Sequence, residues 1–409
     1  MVEMSVCEAV ERGEIAPYAT MQNRGAVLVA LGLMAFLVLT VGNRFGWDRG
    51  LLVIVGGLLG ASLYHASFGF TSAWRIFVFE RRGAGVQAQL VMLALAVTLF
   101  FPLLAYGEIF GLSVRGFVAP VGWGVAFGAL IFGIGMQLGG GCASGTLFTV
   151  GGGNTRMVLT LTAFVTGSLL ATFHLPWWNQ QPNLGAISLV HQMGWIAALV
   201  LHLAVFAILF AIVGRLSTRE TRTLTGSGTS RHWLRGPWPL LWGAVALALL
   251  NASTLLLAGR PWGITGAFSI WGGHAVHAVG VDLSGFPFWA DHDFSQSLLS
   301  DVTTTMNLAI ILGAMASAGL AGKFQPGWRV SWRGVMTAIL GGLLMGYGAR
   351  VAFGCNIGAF FSGVASSSLH GWLWLVCGFS GSIFGTYVRK WLGDGPYAKS
   401  SATSKPLSR

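Results

Sequence analysis

Apolar runs of about 20 residues, each the length needed to cross a bilayer, follow one another along almost the whole of this 409-residue chain. Boundaries drawn by composition give roughly ten of them, the first over 25–41 and the last over 372–388. Hydrocarbon offers no partner to backbone N–H and C=O groups, so such runs must close their hydrogen bonds internally, as helices. Composition removes the soluble alternative: 54% of the residues are hydrophobic and only 9% charged, against about 25% charged in soluble domains. The expected fold is an all-α polytopic membrane protein of about nine to ten transmembrane helices in a lipid bilayer. The run from Leu51 to its stop at Glu80-Arg81-Arg82 is too long and too interrupted for one plain helix, so short broken or re-entrant helices are expected among the spans.

Charge orders these spans. The formal net charge is +11, yet the Lys and Arg residues stand between the apolar runs, mostly at their ends, which is the positive-inside pattern and not a phosphate-binding face. No nucleic-acid partner is expected. Residues 1–24 carry Glu3, Glu8, Glu11 and Glu14 and no basic leader, and read as an N-terminal cytoplasmic tail. The first membrane half follows over 25–213. A Ser-, Thr-, Gly- and Arg-rich stretch, 214–238, with Arg215, Arg219, Arg222, Arg231 and Arg235, reads as a cytoplasmic linker. The second half covers 239–390, and 391–409 is a basic cytoplasmic tail. The segment 174–193, without Lys or Arg, and the stretch holding Asp282, Asp291, Asp293 and Asp301 belong outside.

Within this frame one motif is written twice. Gly141-Cys142-Ala-Ser-Gly145 returns 213 positions downstream (142 to 355) as Gly354-Cys355-Asn356-Ile-Gly358, and without a gap Gly128, Gly133 and Gly135 fall on Gly341, Gly346 and Gly348. The polar, aromatic run 64–75 likewise has a counterpart in the glycine-rich run 259–269. Threading the charges through the order makes the span before Cys142 run inward and the span before Cys355 run outward. The two halves therefore read as inverted repeats, an arrangement that places a site near the bilayer midplane.

Non-helical backbone survives at that depth only inside protein or along a wet cavity. Glycine lets two broken helices approach closely, and free amides after each cysteine attract an anion. Thiols add soft, polarizable sulfur. The ordinary reading stands beside this one: glycines at such spacing also serve helix packing, and a membrane cysteine is often filler, as Cys377 reads here. Arg350, five residues before Cys355, would cost roughly 2.5–3.5 kcal/mol if uncompensated in the membrane and is expected to face the interior; Gln137 holds the equivalent place in the first half. Arg75, near an inside boundary, is a second cation able to draw in an anion. His274, His277 and His292 complete no known ligand spacing, so no metal is expected. Four cysteines make no disulfide framework, and without a nucleotide fingerprint or catalytic triad no enzyme and no cofactor is expected.

At these motifs, and along Phe68-Gly69-Phe-Thr-Ser-Ala-Trp74-Arg75, the chain resembles the YeeE/YedE family of sulfur-transport inner-membrane proteins from about residue 50 to 390. The resemblance implies a bacterial cytoplasmic membrane protein with both termini inside, taking up thiosulfate or a related sulfur or selenium anion past cysteines on a central path. It also implies a small cytoplasmic sulfur-carrier protein as partner in some members. Thiosulfate members carry a third functional cysteine early in the second half, where this chain reads Trp262-Gly-Ile-Thr265-Gly266. The expected path residues are Cys142, Cys355, Gly141, Gly145, Gly354, Gly358, Arg350, Gln137, Asn356 and Arg75. The alternative is a membrane sulfurtransferase that forms a cysteine persulfide and passes sulfane sulfur to a cytoplasmic acceptor.

Overall fold

The computed structural model describes residues 23–109, 111–218, 224, 233–327 and 330–392. Nearly all of the two expected tails, Cys7 included, and much of the linker lie outside the described residues. In the first half, α1 (Arg24–Phe45), α2 (Trp47–Ala66), α3 (Phe70–Glu80) and α4 (Ala84–Tyr106) lead to α5 (Trp123–Gly139), α6 (Ala143–Gly151) and α7 (Thr155–Asn179). The short α8 (Leu189–Met193) and then α9 (Trp195–Leu216) complete it. In the second half, α10 (Leu240–Ala258), α11 (Gly266–Ala278) and α12 (Val302–Leu320) precede α13 (Trp332–Val351). A π-helical turn (Asn356–Phe361), α14 (Ser362–Ala365) and α15 (Leu369–Trp391) close the chain. Among the described residues, ten helical stretches are long and apolar enough to cross a membrane, three of them the broken runs Trp47–Glu80, Trp123–Gly151 and Trp332–Ala365.

Two boundaries differ from the sequence reading. Apolar composition starts the fourth span at Phe117 and runs it to Leu138, but residues 117–122 do not open the helix; Pro120 disfavours helix in the residue before it, and Pro120–Gly122 pairs instead as an antiparallel strand with Asn183–Ala186. The fifth span continues to Asn179 with Pro176 inside the helix, and there Trp178 stacks on Phe127 at 5.1 Å. Part of the expected outer loop is thus helical.

The halves pack about a pseudo-twofold axis, and glycine contacts reveal it. On Gly128 a Cβ would lie 2.7 Å from the Gly348 carbonyl oxygen, and on Gly135 it would lie 2.7 Å from that of Gly341. Since Gly128 aligns with Gly341 and Gly135 with Gly348, exchanging the halves turns one contact into the other, and α5 and α13 must cross antiparallel. The next helices obey the same rule: a Cβ on Gly167 of α7 would strike the carbonyl of Leu343, and one on Gly381 of α15 that of Leu130. Positions 130 and 343 are again repeat partners. Backbone against backbone leaves no room for a side chain at these crossings. Gly128→Ala is expected to destabilise the protein by about 1–3 kcal/mol, as overpacking does, whereas Gly32→Ala, with nothing within 4 Å, is expected to be neutral or slightly stabilising. Melting temperatures of the two variants in detergent check this.

Helix ends gather at two faces. On one, Trp238 N donates to His65 O, Thr218 N to Arg81 O, and Asn154 bridges Gly327. On the other, Arg115 N donates to Gly259 O, Leu189 N to Ser367 O, and the Arg49 guanidinium to Ser300 O. Between the faces, large apolar side chains such as Leu28, Phe36, Ile196, Val200, Ile208 and Val376 point outward, while Gln137, Asn251, Asn307 and Asn356 are fully buried. Apolar outside and polar inside inverts the order of a soluble protein.

Candidate functional site

The α5–α13 crossing carries each chain end to a cysteine. Gly140 leaves α5 with φ +89°, and Cys142, extended at φ −79° and ψ −174°, is the residue from which α6 starts. In the second half the same left-handed step is taken by Phe353, φ +60°, at the position aligned with Gly140. Cys355 then opens the π-helical turn, a local form that favours functional sites over regular packing. A bulky residue in the left-handed region stores on the order of 1 kcal/mol of strain or more, so the break is imposed by its surroundings.

Both cysteines are 1% exposed, and they lie within electrostatic reach of each other. The Cys142 sulfur is 3.4 Å from Ser144 Oγ, while the Cys355 sulfur faces the backbone N–H groups of Ile357 and Gly358. Glycine packs close beside the first thiol: a Cβ on Gly145 would sit 3.5 Å from the Cys142 sulfur. Gly354, its carbonyl held by the Trp374 indole at 3.1 Å, could not carry a Cβ without meeting Ala359 N at 2.6 Å. Phe360 and Trp374, stacked at 6.2 Å, form an aromatic wall with Trp74 and Phe70. Cys377 is half-buried and packs on this core.

Two polar clusters flank the cysteines, and they are repeat counterparts. The Gln137 amide nitrogen donates to Thr71 O at 2.9 Å and to Ser382 Oγ at 2.7 Å. Opposite it, the Arg350 guanidinium donates to Ser269 Oγ at 3.1 Å, and Ser269 is 2.8 Å from Ser168 Oγ. Ser168 and Ser382 occupy matching places on α7 and α15. Arg350 also lies over the Phe288 ring at 5.2 Å and has no carboxylate partner among the described residues. Arg75 is half-buried on α3, its Nε enclosed and unbonded; no contact ties it to the cysteines.

The loop between α10 and α11 is clamped by side chains. Asn251 Oδ1 accepts from Trp262 N at 2.8 Å, Ser362 Oγ donates to Trp262 O at 2.7 Å, and Asn307 Nδ2 donates to Ile264 O at 2.9 Å. Asn251→Ala would leave the Trp262 N–H buried without an acceptor, and is expected to cost about 1–3 kcal/mol, read as a lower unfolding midpoint in detergent. Several enclosed polar atoms already lack partners: Thr71 Oγ1, Gln137 Oε1, Trp262 Nε1, and both Oδ1 and Nδ2 of Asn356. A buried unpaired polar group costs free energy unless something else fills the need.

At the face holding Asn154, a cavity of about 550 Å³ opens among Tyr64, Thr149, Arg156, Gln325 and Ser331. Arg156 and Arg389 meet beneath Gly140, donating to Leu138 O and Gln137 O, the last carbonyls of α5. At the other face the 279–301 loop covers Arg350 through Phe288, anchored by Trp289 Nε1 on Thr172 Oγ1 at 2.9 Å. His274 and His292 touch there, Nε2 to Nε2 at 3.3 Å; burial, then the neighbouring His292 and His277, hold the His274 pKa below its usual value. Hydrogen bonds from Ser284 and Ser295 hold Asp282 and Asp293 below the usual carboxylate range. Among the described residues, no three His, Cys, Asp or Glu side chains form a group able to hold a metal ion.

Comparison with known sequences places this geometry. The family description Sulphur transport matches residues 65–384, a stretch that contains both cysteine motifs, both polar clusters and the clamped loop. The chain belongs to the sulphur transport family. Among curated members, it is 32% identical over 153 residues to the "Probable transporter YedE" of Escherichia coli strain K12, covering 37% of this chain and 38% of that protein. It is 32% identical over 183 residues to the "Thiosulfate transporter TsuA" of Spirochaeta thermophila, covering 44% of this chain and 45% of TsuA. The aligned stretches thus span less than half the length of these relatives.

In this family member the sequence reading named Cys142, Cys355, Gln137, Arg350 and Asn356, and the fold gathers them around one crossing. It missed Trp262, Asn251, Asn307 and the serine pair. For the serines a signal existed, since Gly167-Ser168 and Gly381-Ser382 repeat one residue out of step with the cysteine motifs.

Proposed function

We propose that this chain carries a small sulfur-containing anion, thiosulfate first, across the bilayer along a path that passes Cys142 and Cys355. The observation that carries this is a pair of buried, repeat-related thiols within electrostatic reach of each other, each at a broken helix, with enclosed polar atoms nearby that have no partner of their own. A sulfur oxyanion has a soft end for the thiols and oxygens for the amides. The name of the TsuA relative supports thiosulfate over other candidates, and the family supports sulfur-anion transport more generally. Arg350 draws the anion from the face of the 279–301 loop, Gln137 occupies the matching place toward the other face, and Gly141, Gly145, Gly354 and Gly358 keep the backbone open. Arg75 adds positive potential near the inner boundary.

The orientation we assign puts both termini, the 214–238 linker and the polar cavity on the cytoplasmic side of the bacterial inner membrane. Arg81, Arg82, Arg156, Lys323 and Arg333 lie at that face and Asp282, Asp291, Asp293 and Asp301 at the other, which supports it. A small cytoplasmic sulfur carrier would receive the product at the cavity. The rival reading, sulfur transfer, has a cysteine thiolate take the outer sulfur of thiosulfate and release sulfite; a persulfide on Cys142 or Cys355 after exposure to thiosulfate would favour it. The deciding experiment is uptake of labelled thiosulfate, sulfite, sulfate and selenite by cells lacking other importers. Thiosulfate is expected to enter fastest, and failure of all four with the protein present in the membrane overturns transport.

A further inference from the structure

Trp262 is buried to 1% exposure, and every polar group of its backbone is engaged, N–H by Asn251 and carbonyl by Ser362. Its indole N–H is the exception. It is enclosed and without an acceptor, although buried indoles ordinarily find one. Asn356 is fully buried as well, and both ends of its carboxamide are unpartnered. These residues belong to one place. Ser362, which holds the Trp262 carbonyl, directly follows the π-helical turn that Asn356 begins, and a Cβ on Gly358 would lie 3.9 Å from Gly263 Cα. Asn251 and Asn307 fix the loop that carries Trp262, so the indole is held in place before any ligand arrives.

We infer that Trp262 and Asn356 are specificity-determining residues that donate hydrogen bonds, through the indole N–H and the carboxamide nitrogen, to the oxygens of the passing anion. The thiol of Cys355 next to them meets its sulfur. Two neutral donors suit this work. They satisfy an oxyanion without holding it as a fixed charge would, and release follows as the anion moves to the next thiol. The substrate class this selects has at least two oxygens beside an exposed sulfur, as thiosulfate does. A plain sulfide or an uncharged thiol would leave both donors unpaired. The inference rests on the transport reading and adds to it a residue that packing alone would not require to be Trp.

Trp262→Phe tests it, because the ring stays and only the unpartnered N–H is lost. In purified full-length protein its melting temperature without ligand is expected to equal or exceed that of wild type. For thiosulfate, KM is expected to rise about tenfold or more, the value for a hydrogen bond to a charged group, with the maximal rate little changed. Asn356→Ala is expected to act in the same direction and supplies the readout if the Phe variant fails to fold. An unchanged KM in either folded variant overturns the inference while leaving transport intact. A wild type that neither moves nor is stabilised by thiosulfate, sulfite, sulfate or selenite overturns the transport reading and this inference with it.

Discussion

Cys355→Ala and Cys142→Ala are each expected to lower thiosulfate uptake by about tenfold to a hundredfold, with the protein still present in the membrane at normal levels. A hydrogen bond to a charged group contributes about 1.5–3 kcal/mol, and each 1.4 kcal/mol is a factor of about ten. In a narrow path the loss falls on the barrier, because alanine removes the thiol donor and puts none in its place. Folding is expected to change little. The Cys142 thiol lies against Ser144 Oγ, two residues on, its carbonyl accepts from Thr146 Oγ1, which alanine leaves in place, and Cys355 is met by backbone amides of its own turn, so neither thiol ties distant elements together. Serine at either position keeps a donor but loses the soft sulfur, and is expected to give intermediate uptake. The double alanine variant should fall short of the product of the single effects, since stations of one path are coupled. Uptake equal to wild type in both single variants would remove the cysteines from the path.

Much of this site was legible before any coordinates. Long apolar runs admit one class of fold, and glycine at matching places in two halves leaves few explanations besides close packing and a broken helix. The charge pattern also gave the inversion, which the Gly128–Gly348 and Gly135–Gly341 contacts bear out. What stayed hidden did so for physical reasons. The left-handed break needs glycine or a residue forced into its conformation, and Phe353, forced in this way, hid the partner of Gly140. Trp262 sat in a loop whose meaning comes from Asn251 and Asn307, on two other helices; long-range clamps leave no local pattern. Pro120 reads as part of the fourth apolar span and Pro176 as part of an outer loop, but the X-Pro step interrupts helix at the first and is absorbed within α7 at the second. Packing decides between these outcomes.

Arg350→Gln, which gives the second half the residue the first half has at 137, is expected to raise KM for thiosulfate about tenfold or more and to flatten its dependence on salt. The guanidinium is held by Ser269 and by the face of Phe288, neither of which neutralises it. Such a charge in a membrane segment costs roughly 2.5–3.5 kcal/mol when uncompensated, and an anion arriving beneath Phe288 offsets that cost. Two opposite results follow from the one substitution. Without ligand, Gln at this position removes an uncompensated charge and is expected to leave the melting temperature unchanged or raised. With ligand, the stabilisation that thiosulfate gives wild type is expected to shrink, because differential binding to the folded state is what ligand stabilisation measures. Arg350→Lys keeps the charge but loses the planar fork, and is expected to fall between. A structural arginine would behave the other way round, with melting lowered in the unliganded protein and KM untouched, and that result would take Arg350 out of the path.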